Sequence, residues 1–159
     1  RLQTSVDVDV VLSESTVSVA EGGAEATYTV GLSTDPDPTV TTFNVDITTP
    51  SSEITLSESR LVFSNSDWSA QLSVTVSAVD DSAVESLQEV IITHSVDIPG
   101  NFVWNGNFSP SGADLTVRVY DNDEAGILVS STTLYIDESG SITYDVKLMG
   151  GPSQDVEVR

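Results

Sequence analysis

Leu72-Ser73-Val74-Thr75-Val76-Ser77-Ala78 decides the fold. Apolar residues fall on every second position, with Ser and Thr between them. That period of two marks a strand buried on one face, and β-branched side chains suit a pleated surface. The run ends in the polar turn Val79-Asp80-Asp81-Ser82. The same alternation recurs on both sides of it. Val6, Val8 and Val10 alternate with Asp7 and Asp9, and Tyr28, Val30 and Leu32 with Thr29 and Gly31. Phe43, Val45 and Ile47 follow the pattern, as do Leu115, Val117 and Val119. Glu21-Gly22-Gly23, Asp35-Pro36-Asp37-Pro38, Pro50-Ser51-Ser52 and Asp121-Asn122-Asp123 punctuate the runs as turns.

No stretch has a helical period with caps. The spacing predicts strands near 4–12, 16–19, 25–33, 39–48, 53–63, 71–79, 87–97 and 113–120. Together they read as an all-β, antiparallel sandwich of two sheets with Ig-like Greek-key connections. The chain also repeats itself. Leu12–Gly23 matches Val129–Gly140, which places Glu138 on Glu21. After a one-residue deletion, Tyr28, Val30 and Leu32 fall on Tyr144, Val146 and Leu148. The reading is one complete repeat over 1–125 and the opening strands of a second, incomplete one over 126–159. Three or four strands bury little core, so either the chain is cut mid-domain, or the second piece is ordered by packing on the first repeat, by a following segment or by a strand from another molecule.

Composition excludes several classes. The 159 residues hold 25 Asp and Glu against 5 Lys and Arg, a formal charge of −20. Such a chain repels phosphate and lacks the basic residues that release counterions, which speaks against nucleic acid and anionic membranes. No apolar run approaches the ~18 residues that insert across a bilayer. No secretory leader is read, so Arg1 is expected to open a mature chain or an excised piece. There is no cysteine and one histidine, which removes disulfides, thiolate chemistry and His-rich metal sites. At 38% hydrophobic and 19% charged, the chain is too apolar for a disordered acidic tail.

The carboxylates gather at turns. Glu21 precedes one strand, Asp80-Asp81-Ser82-Ala83-Val84-Glu85 follows another, and Asp121-Asn122-Asp123-Glu124 a third. Loops after strands that run the same way converge on one end of a sandwich. Single acidic turns are ordinarily solvated. Crowded at one tip, however, the acids repel and resist ionisation, and a divalent cation relieves this. Ca²⁺ takes 6–8 oxygens of this kind. Asp-x-Asp offers two carboxylates from one turn, Glu85 reaches back across its loop, and Glu21 closes the site.

Glu21-Gly22-Gly23, Leu61-Val62-Phe63, the strand into Asp80-Asp81…Glu85, and Asp121-Asn122-Asp123-Glu124-Ala125-Gly126-Ile127 together resemble the Calx-β domain. That family occurs in sodium–calcium exchangers, an integrin β subunit and large repetitive surface proteins. The resemblance covers the first repeat and resumes over 127–159. It implies a Ca²⁺-binding sandwich with Glu21, Asp81, Glu85, Asp121 and Asp123 at ligand positions and Asp80 beside them. Glu53 falls near a further acidic position of the family, with Ile54 in place of the usual aromatic. Asn122 stands where high-affinity members carry a third consecutive acid, which implies fewer or weaker ions.

The expected function is a structural or adhesive module of a tandem-repeat extracellular or cell-surface protein, stiffened by Ca²⁺ at the junction between repeats. Its partners would be neighbouring repeats or another copy. One alternative is an intracellular Ca²⁺ sensor. Another is a glycan- or protein-binding module using the aromatic loop 101–108, with Phe102, Trp104 and Phe108. Trp68 reads as a packing residue, and His94 as a structural residue turned outward. Catalysis is not expected, because no base–nucleophile pair appears.

Overall fold

The computed structural model describes residues 8–34, 42–64, 66–97, 111–152 and 154–159. The aromatic loop 101–108 and the turn at 35–38 lie outside these. Eleven strands are found among the described residues: β1 (Val10–Leu12), β2 (Thr16–Ala20), β3 (Ala26–Leu32), β4 (Thr42–Thr48), β5 (Ile54–Leu56), β6 (Arg60–Ser64), β7 (Leu72–Ala78), β8 (Gln88–Asp97), β9 (Ala113–Tyr120), β10 (Ile127–Val129) and β11 (Val146–Leu148). One sheet has the order β1-β3-β7-β5 and a second β2-β9-β8-β4-β6, while β10 and β11 form a separate pair. The first two sheets bury a common core, including Tyr28, Val30, Val74 and Val76 from one and Phe43, Phe63, Ile92, Leu115 and Val117 from the other. Each such side chain contributes about 1.5–3 kcal/mol on leaving water. Trp68 packs against this core. The chain is an all-β sandwich.

Three features depart from the sequence reading. The run at 53–63 is two strands in different sheets, because Ser57-Glu58-Ser59 carries the chain across from β5 to β6. The β2–β9 pair is parallel, not antiparallel. Ser13–Ser15 moves the chain from β1 in one sheet to β2 in the other without reversing it, and β2 covers the edge that β9 would expose. His94 is fully buried, not turned outward. Its phase matches Val90 and Ile92, and its ring is satisfied at both nitrogens. Nδ1–H donates to the Ala113 carbonyl at 3.0 Å, so Nε2 accepts from the Tyr28 hydroxyl at 2.8 Å. The two rings meet edge to face at 5.5 Å.

The β10–β11 hairpin copies the opening of the sandwich bond for bond. Val10 pairs with Leu32 and Leu12 with Val30; at the aligned positions Ile127 pairs with Leu148 and Val129 with Val146. The Thr29 amide donates to the Ser13 hydroxyl and the Asp145 amide to the Ser130 hydroxyl, both at 2.9 Å. Ser33 N–H meets the Asp9 carbonyl, and Met149 N–H the Gly126 carbonyl. Gly22 has φ 59° and its counterpart Ser139 has φ 70°. A non-glycine residue in that region is uncommon, so its recurrence at the aligned turn is informative. The aligned environments differ: Tyr28 is 1% exposed and Tyr144 54%, Val19 3% and Ile136 58%.

Candidate metal centre

β2 and β9 run parallel, so their C-terminal ends share one tip of the sandwich, and the Glu21 amide donates to the Tyr120 carbonyl there at 3.0 Å. The Val79 amide donates to the Glu53 carbonyl at 2.9 Å, which holds the start of β5 beside the end of β7. Loops of widely separated sequence therefore meet. Glu21 is the hub. It offers a carboxylate oxygen within 4.8 Å of ones from Asp81 and Asp123, and within the same distance of ones from Glu53 and Glu85.

Several of the acids also organise the loops. Asp121 accepts the Asp123 amide on Oδ1 at 2.8 Å and the Glu85 amide on Oδ2 at 2.6 Å. The Asp81 carboxylate caps the Ala83 amide at 2.6 Å. Asp80 is held by Asn122, whose side-chain amide donates to Asp80 Oδ1 at 3.2 Å and to the Glu21 carbonyl at 2.9 Å. From the sequence, Asn122 stands where a third ligating acid is expected. Its position shows a bracing role, drawing the Asp80 loop and the Glu21 turn together. Gly22 makes room for this, since a Cβ there would come 3.0 Å from Asn122 Nδ2.

The electrostatics of the cluster are uneven. Glu21 is only 3% exposed. Burial raises its carboxyl above the usual range, and the charges of Asp121, Asp81 and Glu85 raise it further against an opposing backbone hydrogen bond from Asp81. Asp123 is raised by burial and by Asp121, Asp80 and Asp81. Asp121 is lowered by the backbone amides of Asp123 and Glu85 and so stays ionised between them. Glu21 Oε2 and Asp123 Oδ2 are buried without any hydrogen-bond partner among the described residues. Buried carboxylate oxygens left unpaired are costly, and a cation satisfies both the orphaned lone pairs and the repulsion. The donor set is all oxygen, which fits a hard ion such as Ca²⁺ and not a soft one.

No family model and no curated protein matches this chain. Solved structures do resemble it in shape. The E. coli chaperone DraB aligns at TM-score 0.51 and 10% identity, over 77% of this chain and 59% of that one. A chain from a chaperone–tip adhesin complex of CFA/I fimbriae biogenesis aligns at TM-score 0.52 and 7% identity, over 90% of this chain and 67% of that one. The chain thus spans about three fifths of the DraB chain's length. These two likenesses support the sandwich fold alone. The apo-form Calx CBD1 domain aligns more loosely, at TM-score 0.46 and 15% identity, over 73% of this chain and 98% of that one.

Proposed function

We propose that this chain is a Calx-β-like structural module of a repeat-built extracellular or cell-surface protein, in which Ca²⁺ at the acidic tip stiffens the junction between residues 1–125 and 126–159. The observation that carries the reading is the pair of orphaned buried oxygens, Glu21 Oε2 and Asp123 Oδ2, inside a cluster of acids. Glu21, Asp81 and Asp123 would hold the ion, while Glu53 and Glu85 form a second group of oxygens around Glu21. Asp121 and Asp80 would position these loops. Bound there, the ion supplies positive charge and coordination, and no reaction.

The junction is built onto the same loops. Asp123 leads through Ala125 and Gly126 directly into β10. Beyond β11, the Gly151 amide donates to the Ser82 carbonyl, and Gly151 forms a parallel bridge with Ala83. The segment Asp80–Glu85 therefore contacts the cluster on one side and the hairpin's following chain on the other. Ordering that segment orders both. With Asn122 in place of a third acid, the site carries less charge and suits abundant extracellular Ca²⁺.

Melting with and without EGTA tests the reading. A ligand that binds only the folded state at 100 times its dissociation constant adds about 2.7 kcal/mol. For a chain of this size that raises Tm by about 5–10 °C. Glu21→Gln abolishes the rise and, in EGTA, melts no lower than the unaltered protein, because it removes a buried charge. A melt indifferent to EGTA, with no calorimetric Ca²⁺ signal, contradicts the proposal. A dissociation constant below about 10⁻⁶ M moves it to the intracellular sensor.

A further inference from the structure

Among the described residues no ion pair reaches the acidic tip. The paired cations are Arg60, Arg118 and Arg159, and they bind Asp46, Asp97, Glu89 and Glu157. The mutual repulsion of the tip carboxylates is therefore opposed by neutral donors. Backbone amides bind Asp81 and Asp121. The Gln88 side chain donates to Glu85 Oε2 at 2.7 Å, but only three residues separate the two. Asn122 works across the molecule. Its Nδ2 reaches the Glu21 carbonyl 101 residues back in the chain and Asp80 Oδ1 42 residues back. A carbonyl and a carboxylate both accept, so the amide faces them with its nitrogen and gives one N–H to each. The turn at Glu21, the loop at Asp80 and the turn at Asp121 are thereby tied at one point.

We infer that Asn122 is a positioning residue that holds the tip assembled while no ion is bound, so that a cation enters a preformed cage and does not have to draw the loops together. The ion rests on the function proposed above, whereas the clamp is a property of the ion-free protein. An aspartate at this position would replace both donors by acceptors. It would set a carboxylate against Asp80 and against the Glu21 carbonyl, and the loops would part until a cation came between them. Asparagine gives up one ligand charge and gains preorganisation, which cuts the ordering cost of binding. Gly22 belongs to the same device. Its φ of 59° suits a residue without a side chain, and a Cβ there would lie 3.0 Å from Asn122 Nδ2 and 3.6 Å from Asp80 Oδ2. Any larger residue at 22 would crowd the amide away from its two acceptors.

Amide exchange of the whole chain, followed residue by residue in EGTA and in millimolar CaCl₂, tests the clamp. The reporters are the Glu21 and Gly23 amides of one turn and the Ala83 and Glu85 amides of the facing loop, each hydrogen-bonded in the structure. In the unaltered protein all four should stay protected in EGTA. Asn122→Ala leaves the charge of the chain unchanged and removes both bonds. In EGTA it should speed the four amides at least about tenfold, with β3 and β7 unmoved, and CaCl₂ should restore them. Asn122→Asp should loosen them as far or further. Adding Asp80→Asn to that variant exchanges donor for acceptor, and should restore Ala83 and Glu85 but not Glu21 and Gly23. The inference is overturned if Asn122→Ala changes nothing in EGTA, if the unaltered tip is already as loose there, or if the double variant is no tighter at Ala83 than Asn122→Asp. Calcium binding by the unaltered protein alongside a silent Asn122→Ala removes only the clamp. Loosening that CaCl₂ does not reverse, with no calorimetric Ca²⁺ signal from the unaltered protein, supports the clamp and removes the calcium proposal instead.

Discussion

Residues 9–33 and 126–149 are two executions of one local plan. They share strand pairing, a serine hydroxyl that accepts the same amide, and a turn residue at positive φ. They differ in what covers them. Val30 is 0% exposed and Val146 46%. The comparison separates two things that are usually confounded. Hairpin register is set by nearby residues and their hydrogen bonds, whereas burial comes from distant ones, here β7, β8 and β9. The first copy is therefore core, and the second keeps the same local plan with its side chains largely exposed.

The sharpest way to break that comparison is to truncate the aligned tyrosines. Tyr28→Ala opens a core cavity and strips His94 Nε2 of its partner, and should cost about 3–5 kcal/mol in urea denaturation. Tyr144→Ala should stay within about 0.5 kcal/mol. Equal losses would mean that the hairpin is packed far more tightly than its exposure indicates.

A smaller effect, confined to the first copy, comes from acid. Burial lowers the pKa of His94, against opposing contributions from the Ala113 carbonyl and the Asp114 charge. The unfolded chain therefore takes up this proton more readily than the folded one. Stability from this group is complete above pH 6.5 and is lost as pH falls from there toward the folded value. Glu21 and Asp123 act in the other direction, since their raised carboxyls cost stability as pH rises above the ordinary carboxylate range when no cation is bound. His94→Leu should flatten the fall in Tm just below pH 6.5, and amide protection in the hairpin should show no change over that window. A fall of the same slope in the variant would assign it to other groups.

Much of this was legible from residue patterns. Alternation located most strands because a half-buried pleat writes its period into the sequence. The convergence of Glu21, Asp81, Glu85 and Asp123 could be anticipated because they follow strand ends. Ser57-Glu58-Ser59 concealed the crossing from β5 to β6, since a polar triplet within an apolar run reads equally as strand or as turn. His94 was misplaced on polarity, although its phase with Val90 and Ile92 pointed inward; the partners that make its burial tolerable, Tyr28 and Ala113, lie far away in sequence. Asn122 was judged by the charge it lacks, and only its contacts reveal the brace between Asp80 and Glu21.

The most direct measurement is a crystal structure grown in millimolar CaCl₂, with an anomalous difference map at the tip. The account predicts a peak beside Glu21, with oxygens of Glu21, Asp81 and Asp123 at about 2.3–2.6 Å. A map with water between those side chains, or with the acids swung apart into solvent, would contradict it.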